Sequence, residues 1–330
     1  MFSAVPGGHA WKGFPVGLGL AALGRPGYIN LGHAQDLQHE YDVAAMERRA
    51  HEVLDAAYGA GIRYFDAARS YGRAEFFLQS WLASRVDLTD LIIGSKWGYQ
   101  YTAEWQVEAE VHEQKEHSVE RLTRQWNESR SILGSHLNLY QIHSATLESG
   151  VLDNREVLEK LAEIQQLGVL IGLSVSGPAQ AAVIQKAREV VLNGVRVFDA
   201  VQATWNLLEP SATEQLQQAH DAGMIVIIKE SLANGRLTYR NPQFVKEPVW
   251  RAVQSEADRL QVSIDTLALA NVIQQPWVSI VLSGASTLDQ LQSNLTALSL
   301  LEENIPSDLL ADLVESPEEY WSKRSQLKWN

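Results

Sequence analysis

There is no cysteine in the 330-residue chain. Disulfides, thiolate nucleophiles and cysteine-held metals are therefore excluded. Basic residues are in deficit: 27 Lys and Arg stand against 40 Asp and Glu, a formal net charge of -13. A general nucleic-acid binder would carry a basic face, so that class is excluded as well. An anionic ligand is not, because backbone amides and helix N-termini hold phosphates without basic side chains. No apolar run approaches the length of a membrane span, so no membrane partner is expected. The start of the chain has neither a basic region nor a long apolar stretch. No secretory signal is expected, and a cytoplasmic location is the default. The Gly-x-Gly-x-x-Gly dinucleotide fingerprint is also missing. Its nearest approach, around Gly17 and Gly19, lacks the third glycine and is not followed promptly by a helix.

What is present is a core and a rhythm. Apolar residues make up 45% of the chain, enough for a sizeable interior, and charged residues make up 20%, in short runs that exclude wholesale disorder. Several segments share one grammar: an amphipathic helix, a glycine, then a β-rich run. Residues 43–58 lead through Gly59 and Gly61 to 62–65; residues 155–167 lead through Gly168 to 169–175; residues 212–222 lead through Gly223 to 224–228. Glycine after the last turn adopts the left-handed C-cap conformation, so each marks a helix stop. The strands that follow are continuous apolar runs, the pattern of a parallel sheet buried on both faces. Eight such runs are found, at 16–21, 62–65, 91–95, 137–142, 170–175, 197–202, 225–228 and 278–282. Eight alternating units at this length read as an α/β fold, a (β/α)8 TIM barrel, in one domain over 1–330 with its core at about 16–298 and a tail at 299–330. The rival is an open doubly wound sheet. Two regions stand outside the rhythm. One is the loop Gly24 to Tyr41; the other is the tail, where Pro306 opens a short helix carrying Leu309, Leu310 and Leu313, and Pro317 ends it.

Polar residues at the C-terminal ends of barrel strands are the candidates for catalysis. Asp66 follows the second strand, Tyr71 sits five residues on, Lys96 ends the third strand and His143 ends the fourth. A free tyrosine titrates near 10. A nearby ammonium lowers that value and makes the phenol a better proton donor at neutral pH. Lys96 supplies the ammonium in this reading, Asp66 holds Lys96, and His143 orients a carbonyl oxygen. No metal is needed. Each residue singly has an ordinary alternative: Asp as a helix cap, Tyr as packed rim, Lys as solvated, His as a satisfied core residue.

The segment FDAARSYGRAE, from Phe65 to Glu75, resembles the signature of the aldo-keto reductases. LIIGSKWG around Lys96 and LNLYQIHS around His143 resemble that family's lysine and histidine strands. IGLSVSG, VQATWNLLEP, VIIKESLANGRL and LSGASTLDQLQSN resemble its later cofactor segments in the right order. The resemblance runs from about Val16 to Leu298. It implies reversible hydride transfer between a nicotinamide dinucleotide and a small carbonyl or alcohol substrate, with Asp66, Tyr71, Lys96 and His143 as the catalytic tetrad.

The same resemblance implies that Gly19, Ser174, Gln202, Lys229, Leu232, Asn234, Gly284, Ser286, Gln290 and Asn294 bind the cofactor. Ser174 and Gln202 match positions that hydrogen-bond the nicotinamide carboxamide, and Gln290 and Asn294 match the adenine side. Read physically, Gly284-Ala-Ser-Thr opens a helix with Ser286 as its N-cap and Leu288, Leu291, Leu295 and Leu298 as its buried stripe, and its free amides form an anion site. Many relatives carry Lys and Arg where this chain has Gly284 and Gln290, and an aromatic where it has Lys229. NADP is the expected cofactor, with NAD as the alternative. The resemblance leaves three functions open: a reductase of aldehydes, ketones or sugars; an NAD-dependent aldose dehydrogenase; and a dinucleotide-binding regulatory subunit with little turnover. Trp97, Tyr99, Tyr101 and Trp105 either line an aromatic substrate pocket or pack their own loop.

Overall fold

The computed structural model describes residues 2–5, 8–11, 13–85, 87–88, 90–242, 248–303, 305 and 312–330. Eight parallel strands close into a barrel: β1 (Val16–Gly19), β2 (Tyr64–Asp66), β3 (Ile92–Trp97), β4 (Leu137–Ala145), β5 (Leu170–Val175), β6 (Ala200–Thr204), β7 (Ile225–Lys229) and β8 (Ile280–Ser283). Each strand pairs with the next in sequence, and β8 returns to β1. The open-sheet rival is thereby excluded. The eight expected runs all fall on these strands. The sixth starts later than expected, at Ala200. Residues 191–192 and 195–196 pair as a small hairpin, and the Val197 amide is spent on the Val190 carbonyl.

Helices cover the barrel outside. Asp42, Ser118 and Asn154 cap α1 (Val43–Gly59), α3 (Val119–Leu133) and α4 (Arg155–Gln166), each accepting a first-turn amide. The others are α2 (Ala74–Ala83), α5 (Gln180–Glu189), α6 (Thr213–Asp221), α7 (Pro248–Arg259), α8 (Ile264–Ile273), α9 (Leu288–Thr296) and α10 (Pro317–Ser325). Among the described residues no helix is long and apolar enough to cross a membrane.

Side chains alternate along each strand, so parity divides the interior from the outer core. Tyr64, Ile92, Leu139, Ala200, Ile225 and Ile280 form one cluster, while Phe65, Ile93, Tyr140 and Val226 belong to the larger one with the helices. Two glycines make room for the Tyr64 ring. A Cβ on Gly17 would come 2.9 Å from its Cδ1, and one on Gly94 would come 2.4 Å from its hydroxyl.

Three expectations change. Thr287, not Ser286, caps α9: its hydroxyl accepts from the Gln290 amide, because the helix begins one residue later. Leu288 is 48% exposed rather than part of the stripe, which keeps Leu291 buried and Leu295 and Leu298 partly buried against the core. Pro317 starts a helix instead of ending one. It occupies the first turn of α10, where a missing amide costs nothing, and Ser316 caps that turn. Leu309 and Leu310 lie outside the described residues, and Leu313 lies in a turn.

Candidate active site

A cavity of about 1000 Å3 opens at the C-terminal ends of the strands and runs to α9. Inward parity places Asp66 at its floor, 2% exposed. Its Oδ2 is ion-paired with Lys96 Nζ, which is fully buried and also donates to the Ala67 carbonyl at 3.0 Å. Its Oδ1 accepts from the Tyr64 hydroxyl at 3.0 Å, Gln202 Nε2 at 3.0 Å and Gln141 Nε2 at 3.3 Å. A buried carboxylate is tolerable only when its oxygens are satisfied in this way.

Tyr71 and His143 stand above that pair. Their rings meet edge to face at 5.5 Å, and Lys96 Nζ lies 4.9 Å from the Tyr71 ring centroid. His143 is aimed by an irregularity at the end of β4. Pairing with β5 breaks there, and Ser144 takes a φ of 53°. The turn is held by the Ser144 amide donating to Ser174 Oγ at 2.8 Å and by His117 Nε2 at 3.0 Å from the His143 carbonyl.

Burial pushes the Tyr71 hydroxyl well above the ordinary tyrosine value, and the Asp66 carboxylate adds to the rise. Lys96 lies against the Tyr71 ring while ion-paired with Asp66, and burial depresses its own proton affinity. His143 is held well below the ordinary histidine value by burial and by the Lys96 cation. The site thus presents a protonated phenol beside a neutral imidazole.

The expected residues divide in two. Gly19, Asp66, Tyr71, His143, Gln202 and Lys229 line the cavity, as do Leu232, Asn234, Gly284, Gln290 and Asn294. Lys96, Ser174 and Ser286 stand behind its wall and act on residues that do line it. Gln202 spends its amide on Asp66, and Asn294 Nδ2 donates to Ser283 Oγ at 2.8 Å. Gln290 folds back, accepting from the Ser286 amide at 2.9 Å and donating to Asp36 Oδ2 at 2.7 Å. Asp36 is also clasped by Arg240 from the loop after β7. Lys229 Nζ donates to Thr204 Oγ1 at 2.8 Å; burial lowers its pKa to about 8. Burial alone would raise the neighbouring Glu230, but Arg324 of α10 and Lys229 hold it at about 2. Of the four aromatics offered as pocket walls, only Tyr99 lines the cavity. Trp97 packs on His117, Trp105 on Phe77, and the Tyr101 hydroxyl accepts from the Trp105 amide.

Sequence reasoning missed Arg25, Tyr64, Gln141 and Asp36. Tyr64 and Gln141 lie two residues before Asp66 and His143, so strand parity alone would have put them on the same inward face. Arg25 and Asp36 sit in the loop after β1, where no periodicity flags a side chain.

The polar lining fits a dinucleotide. Ser231 Oγ and Asn234 Oδ1 are buried without a hydrogen-bond partner in the loop after β7, and both residues face the cavity. Gly284 keeps backbone open there, with nothing within 4 Å of a would-be Cβ. Comparison with known proteins agrees. The Aldo/keto reductase family model matches residues 16–307. The chain is 25% identical over 299 residues to norsolorinic acid reductase stcV of Emericella nidulans, covering 82% of this chain and 76% of that one. It is 25% identical over 312 residues to protein tas of Escherichia coli, covering 81% and 88%. Among solved structures, an aldo-keto reductase from Bacillus halodurans in its holo form superposes with a TM-score of 0.65 at 21% identity, over 96% of this chain and 92% of that one. The chain belongs to the aldo/keto reductase family of oxidoreductases.

Proposed function

We propose that this oxidoreductase interconverts a small carbonyl compound and its alcohol with a nicotinamide dinucleotide, using Tyr71 as the proton donor. The observation that carries the reading is the meeting of Tyr71 and His143 at 5.5 Å in the mouth of the cavity, above the buried Asp66–Lys96 pair. When bound, the nicotinamide supplies or accepts the hydride. The chain does the rest. Neutral His143 offers a hydrogen bond that seats the substrate oxygen. Tyr71, kept protonated by its burial, gives its proton to that oxygen as negative charge develops. Lys96 and Asp66 form a fixed floor.

For the cofactor, the loop side chains Ser231 and Asn234 offer their unpaired oxygens to hydrogen-bond donors of the dinucleotide. Gly284, with open space where a Cβ would stand, lets a phosphate approach the backbone ahead of α9. NADP is the proposed form, and Arg240 supports it as a guanidinium at the α9 end that would turn from Asp36 to a 2′-phosphate. A second reading, NAD, is favoured by Asp36, a carboxylate at the same place suited to a ribose hydroxyl and repellent to a phosphate. A panel of aldehydes, ketones and sugars, followed by nicotinamide absorbance with each cofactor, tests the reading. Tyr71→Phe keeps the ring and removes the proton donor, so it should cost about 10²- to 10⁴-fold in turnover with little change in cofactor affinity. Near-native turnover in that variant would overturn the assignment.

A further inference from the structure

The Tyr71 end of the cavity holds hydrogen-bond donors that no acceptor of the chain receives. Arg25 shows this best. It lines the cavity and is 3% exposed. Its Nη1 donates to the Ser70 carbonyl at 3.0 Å and to Glu113 Oε1 at 2.6 Å. Its Nε is sealed from solvent without a partner, and its Nη2 makes no hydrogen bond among the described residues. A guanidinium this deeply buried ordinarily has its N–H groups met by acceptors. The group is also held in place before any ligand arrives: it lies 5.2 Å from the Tyr71 ring centroid, 5.3 Å from Tyr28 and 4.7 Å from Trp329.

Arg324 of α10 repeats the pattern. Its Nε and Nη2 go to Glu230, and its Nη1 makes no hydrogen bond among the described residues. Both oxygens of Glu230 are taken, by Arg324 and by the Thr204 hydroxyl. The fields of Arg25 and Arg324 meet at Tyr28, which lines the same wall. Charge agrees with the donor count. The cations Arg25, Lys229 and Arg324 line this end against the carboxylates Glu113 and Glu230, while Asp66 is matched by Lys96. In a chain of net charge -13, this corner keeps a surplus of one positive charge.

The surplus sits beside the reacting group. Arg25 lies against the Tyr71 ring, and the hydroxyl of Ser70, whose carbonyl it holds, is 3.4 Å from His143 Nδ1. An anion on Arg25 is therefore a near neighbour of a carbonyl seated by Tyr71 and His143. Unmet N–H groups beside a single surplus charge call for a group that only accepts. A hydroxyl donates as well as accepts, so a neutral sugar would not balance the count. A phosphate monoester carries more charge than the surplus. A carboxylate is planar, singly charged and matched to a guanidinium edge.

We propose that the substrate is a short oxo acid, an aldehyde or ketone with a carboxylate near its carbonyl, and that Arg25 and Arg324 bind that carboxylate. The hydride goes to the carbonyl carbon and the Tyr71 proton to its oxygen, giving a hydroxy acid; the carboxylate is unchanged. This inference rests on the reading of Tyr71 and His143 as the carbonyl seat.

Matched probes test it in the native protein: succinic semialdehyde, its methyl ester, glyceraldehyde and glyceraldehyde phosphate, each with reduced cofactor. The acid should exceed the ester by about 100-fold in kcat/KM, mostly through KM, because charge-assisted hydrogen bonds are lost in the ester. Glyceraldehyde should follow the ester, and its phosphate should fall between. Arg25→Gln should lower the acid-to-ester ratio at least about tenfold, and Arg25→Lys, which keeps the charge without the fork, should keep part of it. Binding reads the same contact without turnover. In calorimetric titrations with no cofactor present, γ-hydroxybutyrate should bind at least about tenfold more tightly than γ-hydroxybutyramide, and Arg25→Gln should erase the difference. An ester or glyceraldehyde that native protein reduces as well as the acid overturns the proposal, as does a phosphate that outruns the acid. A loss in Arg25→Gln shared equally by acid and ester also overturns it, since Arg25 would then only seat the Tyr71 ring. If Arg25→Gln does not fold, the native comparisons decide, and if native protein reduces none of the probes, the binding pair decides. Near-native turnover in Tyr71→Phe would instead sink the proton-donor reading, and it would leave the binding difference standing.

Discussion

At the Tyr71 end of the cavity, polar side chains stand on strand ends and bond inward to Asp66; at the α9 end they stand on loops and bond to one another. Asp66 receives Tyr64, Lys96, Gln141 and Gln202 from four strands. Asp36 receives Arg240 and Gln290 from a loop and a helix. The first end is fixed by the barrel whether or not a ligand is present. At the second, a ligand must take over bonds already made, and a protein that first has to release Gln290 or Arg240 binds with correspondingly reduced affinity. On the function proposed above, chemistry would reside where the scaffold is stiff, and recognition of the distal cofactor group where it can rearrange.

The sharpest way to break this contrast is at Lys96. Lys96→Met should lose at least about 100-fold in turnover, and it strands the Asp66 carboxylate, a loss of roughly 3–5 kcal/mol in stability. Adding Asp66→Asn should restore much of the stability but not the activity. A double variant that regains both in melts and assays would mean that the floor is structural only.

Acid should attack the loop end. His33, beside Asp36, is fully buried, and burial lowers its pKa from 6.5 to about 4. Its folded value lies below its unfolded one, so the unfolded chain binds the extra proton. Stability is therefore full above pH 6.5 and is lost as pH falls toward 4, by about 2–3 kcal/mol at pH 4.5. Denaturant titrations of the native protein and His33→Phe at pH 7 and 4.5 measure this. An equal acid loss in both proteins counts against it.

Cofactor choice sharpens the comparison further. Asp36→Ala frees Arg240 and removes a repelling carboxylate, so the preference for NADPH over NADH should rise about tenfold. Fluorescence titration with both cofactors reads the ratio, and an unchanged ratio would place the distal group elsewhere. The smallest effect is expected from Lys229→Met. It removes a cation tied to Thr204 and Glu230, and should weaken reduced cofactor more than oxidised by about two- to threefold if its ammonium meets a pyrophosphate oxygen and repels the oxidised ring. Identical affinity ratios for the two redox forms in variant and native protein would remove Lys229 from the ring.

The contrast also explains what could be read in advance. Strand-end residues announce themselves, because parallel strands are apolar runs and a polar residue at the end of one is conspicuous: Asp66, Lys96 and His143 all have this signature. The eight strands were legible for the same reason. Arg25 and Asp36 lie in a loop whose path is set by contacts distant in sequence, including Asn330 Nδ2 to the Asn30 carbonyl and Arg240 to the Leu31 carbonyl. The pairing of Glu230 with Arg324 joins residues far apart in the chain. No local pattern encodes such meetings. The single-residue choice between Ser286 and Thr287 as cap was likewise beyond pattern, since both carry the same hydroxyl chemistry.

The four donors on Asp66 also bear on how the molecule comes together. A chain that has formed only β1 to β4 can already offer Tyr64, Lys96 and Gln141, whereas Gln202 arrives with the second half of the ring. Catalytic competence is therefore a property of the joined halves. A half-folded species lacks one strut on its Asp66 carboxylate and has no β5–β8 wall to hold a dinucleotide. Such a species is idle rather than a stray consumer of reducing power, so activity itself reports that the barrel has closed.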